Sequence, residues 1–148
     1  RLTDPKVTIL LFKNGNLVLT GGSTKEDVYL GFKKVLEMLE ISNEFLDRIE
    51  INNYVATGTV NSGLDLSLVY EKCRPNAILE PELFPGLKYY LKNQNVTVLI
   101  FHSGKYVLTG SNVLANVYRS DVIVQSLLST CFKITVEPLN SRNEKILR

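Results

Sequence analysis

Apolar and polar positions repeat in two matching stretches of the chain. Val7-Thr8-Ile9-Leu10-Leu11-Phe12 is a run of β-branched and large apolar residues, which predicts a strand. Residues 16–19 supply its partner after the turn dipeptide Asn14-Gly15. The twelve residues 10–21 return 89 positions later as residues 99–110, with seven of the twelve identical and Ser103-Gly104 at the turn. Both dipeptides suit a tight primed turn, which needs positive φ at its centre. Two near-identical hairpins predict a duplicated unit.

Between and after the hairpins the period changes. Past Gly21-Gly22, Ser23 or Thr24 can cap a helix, with Glu26 and Asp27 in its first turn. Val28, Phe32, Val35, Leu36 and Leu39 recur at helical spacing, so that helix should bury this face and run to about residue 40. Residues 49–60 read as a long strand weakened by Gly58. Leu64, Leu66, Leu68 and Val69 predict a short helix ending near Cys73-Arg74-Pro75. Residues 80–87, Glu-Pro-Glu-Leu-Phe-Pro-Gly-Leu, predict a rigid turn with Phe84 at its tip. A strand over 88–91, the second hairpin over 96–109 and a second helix starting at Ser111 or Asn112 follow. Val113, Val117, Val124, Leu127 and Leu128 would be its buried positions. Residues 132–136 alternate like a strand that Pro138 stops, and residues 141–148 are polar and charged. This order predicts an α+β fold, an antiparallel sheet with helices on one face. The other face is where function is to be sought.

Composition narrows the partners. A chain of 148 residues suits one domain or a pseudo-symmetric pair of half-domains, and 45% hydrophobic with 22% charged residues is ordinary for a globular protein. No run approaches the ~18 apolar residues of a membrane span. The net charge of +2 is small for a nucleic-acid binder, so any such binding would rest on groove shape and apolar contact. Cys73 and Cys131 are too few for a metal cage and read as a reduced pair or a disulfide. The single histidine, His102, lies in the second turn without a partnered base or nucleophile. No catalytic constellation, cofactor motif or metal cluster is present in the pattern, which predicts a protein that is not an enzyme.

These residues resemble the TATA-box-binding protein (TBP) family. Both hairpins have the pattern Phe-x-x-Gly-x-x-Val-x-Thr-Gly, residues 80–87 match a stretch of that family's second repeat, and Ile51-Asn52-Asn53-Tyr54-Val55 resembles the first strand of that repeat. The resemblance implies a saddle, a curved antiparallel sheet with its concave face on DNA and helices on the convex face, built as a pseudo-twofold repeat. It implies a general transcription initiation factor that binds AT-rich promoter DNA in the minor groove and bends it by Phe insertion. By resemblance Phe84 and Phe101 are the wedge pair of the second repeat, and Phe12 is one wedge of the first. Asn53 would hydrogen-bond to base edges, Thr20 and Thr109 would lie in the groove, and Val18, Val55 and Val107 would form the apolar floor. Leu10 and Leu99 would sit beside the wedges, and Lys105 near a phosphate. Glu80, Glu82 and Leu83 match the surface that meets a transcription factor IIB-like protein within the RNA polymerase initiation complex. Taken without the family, each residue has a plainer reading. Phe12 and Phe101 would pack inward at strand ends, Asn53 would form a bulge or turn, and Glu80 and Glu82 would be solvated.

The implied organisation is a partial first repeat over 1–48, a second repeat over 49–131 and a strand-like tail over 132–148. First-repeat counterparts of Asn53 and Phe84 would fall before residue 1, so one wedge and one central asparagine are expected to be absent. The tail strand is expected to fill the place of the missing strand, with a homodimer through the open edge as the competing solution. The second helix carries only Arg119 as a cation, beside Asp121, which predicts diverged partner surfaces and weaker, less salt-dependent DNA binding than the family norm. The alternative functions are a TBP-fold protein-interaction module that has lost DNA binding, and an accessory domain of a DNA-processing enzyme. Resemblance implies a nuclear location, or a cytoplasmic one for a large cytoplasmic DNA virus.

Overall fold

The computed structural model describes residues 1–60 and 63–132. The chain forms two compact units, Arg1–Glu50 and a second that begins at Ile51. In the first, β1 (Thr8–Leu11) and β2 (Leu17–Thr20) form an antiparallel hairpin, and α1 (Lys25–Met38) follows. The helix starts in a capping box: the Thr24 hydroxyl accepts from the Asp27 N–H at 3.1 Å, and the Asp27 carboxylate accepts from the Thr24 N–H at 3.0 Å. Phe32, Val35 and Leu36 are its buried face, and Gly31 gives Val7 room to be fully buried beside it. Leu39 lies past the last turn and is exposed, contrary to the helical stripe.

The second unit contains β3 (Tyr54–Thr59), α2 (Leu66–Cys73), β4 (Ala77–Leu79), β5 (Leu87–Leu91), β6 (Val96–Ile100), β7 (Lys105–Ser111) and α3 (Leu114–Leu128). Its antiparallel sheet has the order β3-β7-β6-β5-β4. Val98, Ile100, Tyr106 and Leu108 pack from the sheet with Val117, Val124 and Leu128 of α3 and Val69 and Cys73 of α2 in one buried cluster. The Asp65 carboxylate caps α2 by accepting from the N–H groups of Ser67 and Leu68.

Four local expectations need correction. The strand expected over 49–60 is only Tyr54–Thr59: residues 49–53 lie between the 3-10 turn Asn43–Arg48 and the sheet, and at Asn53 it is the side-chain oxygen that takes the Gly110 N–H. β4, three residues long, is too short to show a period and was not foreseen. α3 begins at Leu114 rather than at Ser111 or Asn112. Ser111 is still in β7, and its hydroxyl accepts from the Val113 N–H at 3.1 Å, so Val113 sits half-exposed at the helix entry. The hairpin turns are not of the primed two-residue type either. In each, the N–H of the glycine donates to the Phe carbonyl (Gly15 to Phe12, Gly104 to Phe101, 3.0 Å both), and only the glycine has positive φ, +84° and +87°. A four-residue turn whose last residue is a left-handed glycine absorbs the strand twist with one such residue.

The duplication extends to backbone register. Thr8↔Thr20, Ile9↔Leu19, Leu10↔Val18 and Leu11↔Leu17 recur as Thr97↔Thr109, Val98↔Leu108, Leu99↔Val107 and Ile100↔Tyr106. Phe132 bridges Leu64, and the Asp65 N–H donates to the Cys131 carbonyl at 3.1 Å. The rest of the strand expected over 132–136 lies outside the described residues.

Candidate nucleic-acid interface

Alternation along β6 and β7 sends Val96, Val98, Ile100, Tyr106 and Leu108 into the core, and leaves Thr97, Leu99, Lys105, Val107 and Thr109 on the opposite face. Cross-strand pairing sets Lys88, Leu99, Val107 and Thr57 in one row and Tyr90, Thr97 and Thr109 in the next. Val55 is 65% exposed and continues the second row at the irregularity between Tyr54 and Ala56. These side chains offer methyl, hydroxyl, phenol and ammonium groups and no carboxylate.

Asn53 stands at the entry to β3 with its carboxamide oriented by the neighbouring strand end. Its Oδ1 accepts from the Gly110 N–H at 2.7 Å, and its Nδ2 donates to the Thr109 hydroxyl at 2.9 Å. Anchoring the oxygen fixes the amide orientation and leaves one Nδ2 hydrogen free of these bonds, a donor suited to base-edge acceptors.

Phe84 and Phe101 pack against each other, with ring centroids 5.8 Å apart and planes at 56°. The Lys88 ammonium lies 5.1 Å from the Phe84 centroid, a cation–π contact. The Glu80 carbonyl accepts from the N–H groups of both Leu83 and Phe84 at 3.0 Å, which closes the turn that presents Phe84. Glu80 and Glu82 are exposed, and Leu83 is 82% exposed. Gly86 makes the ring pair sterically feasible. A Cβ there would stand 2.8 Å from the Ile100 carbonyl oxygen, 2.9 Å from Phe84 Cε1 and 3.1 Å from Phe101 Cδ1. Gly86→Ala is expected to cost about 1–3 kcal/mol by overpacking, read as a lower urea midpoint with unchanged slope.

The first unit presents Leu10, Phe12, Val18 and Thr20, all exposed, in the registers of Leu99, Phe101, Val107 and Thr109. One position differs sharply. Leu11 is 58% exposed, whereas Ile100, its register equivalent, is fully buried. Ile100 has β5 and β7 on either side and belongs to the buried cluster, while Leu11 sits in a two-stranded hairpin.

Sequence reasoning missed Thr57, Thr97, Lys88 and Gly86. Thr97 was legible from parity with Thr109, but Lys88 needed the β5–β6 pairing and Gly86 needed the packing of two distant rings. The buried ionisable groups are inert. Burial, then the bond from its hydroxyl to Asp121 at 2.6 Å, pushes the Tyr106 phenol up to about 12. Burial, then the nearby Cys131, pushes the Cys73 thiol up to about 11, so it stays protonated and unreactive. Both cysteines are free, and no group of three metal-ligating side chains occurs among the described residues.

The profile of the family described as "Transcription factor TFIID (or TATA-binding protein, TBP)" matches residues 1–41 and 48–130. The chain belongs to the TBP family. A "TATA-box-binding protein" of Methanococcus vannielii is 40% identical over 121 residues, spanning 80% of this chain and 66% of that protein. One of Methanothermococcus thermolithotrophicus is 36% identical over 138 residues, spanning 93% of this chain and 75% of that protein. The solved structure "Methanococcus jannaschii TBP" superposes with a TM-score of 0.67 at 32% identity, covering 87% of this chain and 78% of its own. The α+β fold of antiparallel sheet and helices is thus the TBP fold. The TBP profile bridges both units and stops two residues short of Phe132.

Proposed function

We propose that this TBP-family chain is a transcription initiation factor that binds AT-rich promoter DNA through the minor groove and bends it. The observation that carries this is the open sheet face of the second unit. There an apolar and hydroxyl floor, an oriented Asn53 amide and the Phe84–Phe101 pair lie together. Minor-groove edges of A·T pairs offer acceptors and little sequence code, so a donor, methyl and hydroxyl contacts and aromatic wedges are suitable readers. Phe12, Leu10, Val18 and Thr20 would make the corresponding contacts from the first hairpin. Glu80, Glu82 and Leu83 would receive a transcription factor IIB-like partner and so bring in the polymerase. The place of action is that of the promoter DNA, the nucleus in a nucleated cell.

The test is a titration of fluorescent AT-rich and GC-rich duplexes at two salt concentrations, with end-labelled duplex to report bending by energy transfer. Tighter binding of the AT-rich duplex by tenfold or more, with a bend, is the expected result. Equal, unbent binding of both duplexes, or none, would sink the reading in favour of a protein-interaction module. The 82% exposure of Leu83 is the observation that favours that second reading.

A further inference from the structure

One cation stands inside an apolar row of the second unit's open face. β5 alternates: Leu87 and Leu91 are buried and Tyr89 packs against the core, so Lys88 faces the other way. Cross-strand pairing sets it between Ile78 of β4 and Leu99 of β6. Both its neighbours in the row are therefore aliphatic, and the row runs on to Val107 and Thr57 without a carboxylate. The only ion pair among the described residues joins Arg74 to Glu71. Lys88 is nevertheless half-buried, and its ammonium lies 5.1 Å from the centroid of the Phe84 ring.

A lysine on an apolar surface ordinarily lays its stem along it and keeps its head in water. Here the head lies over a ring of the aromatic pair, and the row continues on both sides of it, to β4 one way and to β6, β7 and β3 the other. That place decides what the ammonium can meet. Phosphates stand along the rims of a minor groove. Its floor carries adenine N3 and thymine O2, both acceptors, and a G·C pair adds the guanine N2 amino group, a donor. An ammonium has three donors and no acceptor. It suits the floor at an A·T pair and meets a like donor at a G·C pair.

We infer that Lys88 is a specificity-determining residue: with Phe84 inserted, its ammonium donates to the base-edge acceptors of the pair beside the kinked step and selects against G·C there. The inference rests on the minor-groove reading above. Because the ammonium already lies at the ring, entry of Phe84 brings it to that pair and to no other. Leu99 and Val107 next to it contribute apolar contact, which leaves Lys88 as the donor of this row.

The experiment scans the AT-rich duplex, replacing one A·T pair at a time by G·C and, in a parallel set, by inosine·cytosine, which lacks the guanine N2 amino group. Wild type, Lys88→Met and Lys88→Leu are compared; both substitutions keep apolar packing and remove the charge. At one pair, or two adjacent pairs, wild type should lose about tenfold in affinity with G·C and less than about twofold with inosine·cytosine. Both variants should narrow the G·C loss at those pairs at least about threefold and leave the rest of the scan unchanged. A purely structural role would lower the urea midpoint without moving the scan. A scan that either variant leaves as in wild type overturns the inference. So does uniform weakening of every duplex with a salt slope lower by about 0.9, the mark of a phosphate contact. Both results leave the minor-groove reading standing, whereas wild type without preference for the AT-rich duplex overturns both.

Discussion

Replacing Phe84 and Phe101 together by alanine is expected to weaken AT-rich duplex binding by about 30-fold to more than 1,000-fold, and to remove the bend. Each aromatic stacked on a base is worth about 1–3 kcal/mol by alanine substitution, and 1.4 kcal/mol is tenfold in affinity. On the proposed minor-groove reading the wedge would also separate stacked bases, and the kink would let the rest of the sheet meet the groove. Losing both rings therefore removes the contacts and the deformation that brings other contacts into reach. The two single variants should not add. The rings touch at a centroid separation of 5.8 Å, and truncating one lets the other tip into the vacated space. Both rings are half-buried rather than core residues, so the double variant should keep its far-ultraviolet circular dichroism and lose only a few degrees of Tm. Energy transfer across the labelled duplex checks the bend. A double variant that bends DNA as wild type does would disprove the wedge role.

Gly58→Ala is expected to be the most destabilising conservative change in the second unit, by about 3 kcal/mol. A Cβ there would stand 2.2 Å from both the Cζ and the hydroxyl of Tyr106, and 2.6 Å from Cε2. The ring cannot step aside cheaply. It is 1% exposed, and its hydroxyl donates to Asp121 of α3 at 2.6 Å. Moving it either breaks that bond or displaces α3, and overpacking plus a lost hydrogen bond to a charged group sum to this order. The first hairpin suggests the rescue, because Leu17 holds the register of Tyr106. Tyr106→Leu removes the ring that the alanine would strike. The double variant should therefore be more stable than Gly58→Ala alone, and urea denaturation of the four proteins in the cycle measures the coupling. Equal or greater loss in the double variant would mean that Gly58 serves backbone conformation instead.

Gly58 also illustrates how far local pattern reaches. As a glycine inside an alternating run it marked a weakened strand, and the strand is there. Why it is glycine depends on a tyrosine in β7 that crosses beneath it, far away in sequence. Asn53 is similar. The dipeptide Asn52-Asn53 is open to reading as a bulge or turn, and only the Gly110 N–H and the Thr109 hydroxyl, brought alongside by the β3–β7 pairing, orient the Asn53 amide. The wedge pair was named from resemblance, and Gly86 became intelligible only when the rings of Phe84 and Phe101 met above it.

Local order is what could be read from residue pattern. Hairpin positions, the capped start of α1, the short α2 and the parity of Leu99, Val107 and Thr109 follow from turn residues, caps and alternation, each of which acts within a few residues. The duplication was plain because identical residues make identical local choices, down to the left-handed glycines, Gly15 and Gly21 in one repeat and Gly104 and Gly110 in the other. Burial was decided by the fold. Leu11 and Ile100 have the same register and the same apolar character, yet one is exposed and the other is sealed by β5, β7 and the surrounding core. Whether an apolar strand residue becomes core or surface depends on which other segments pair beside it, and that choice is made by long-range contacts absent from either hairpin's own sequence.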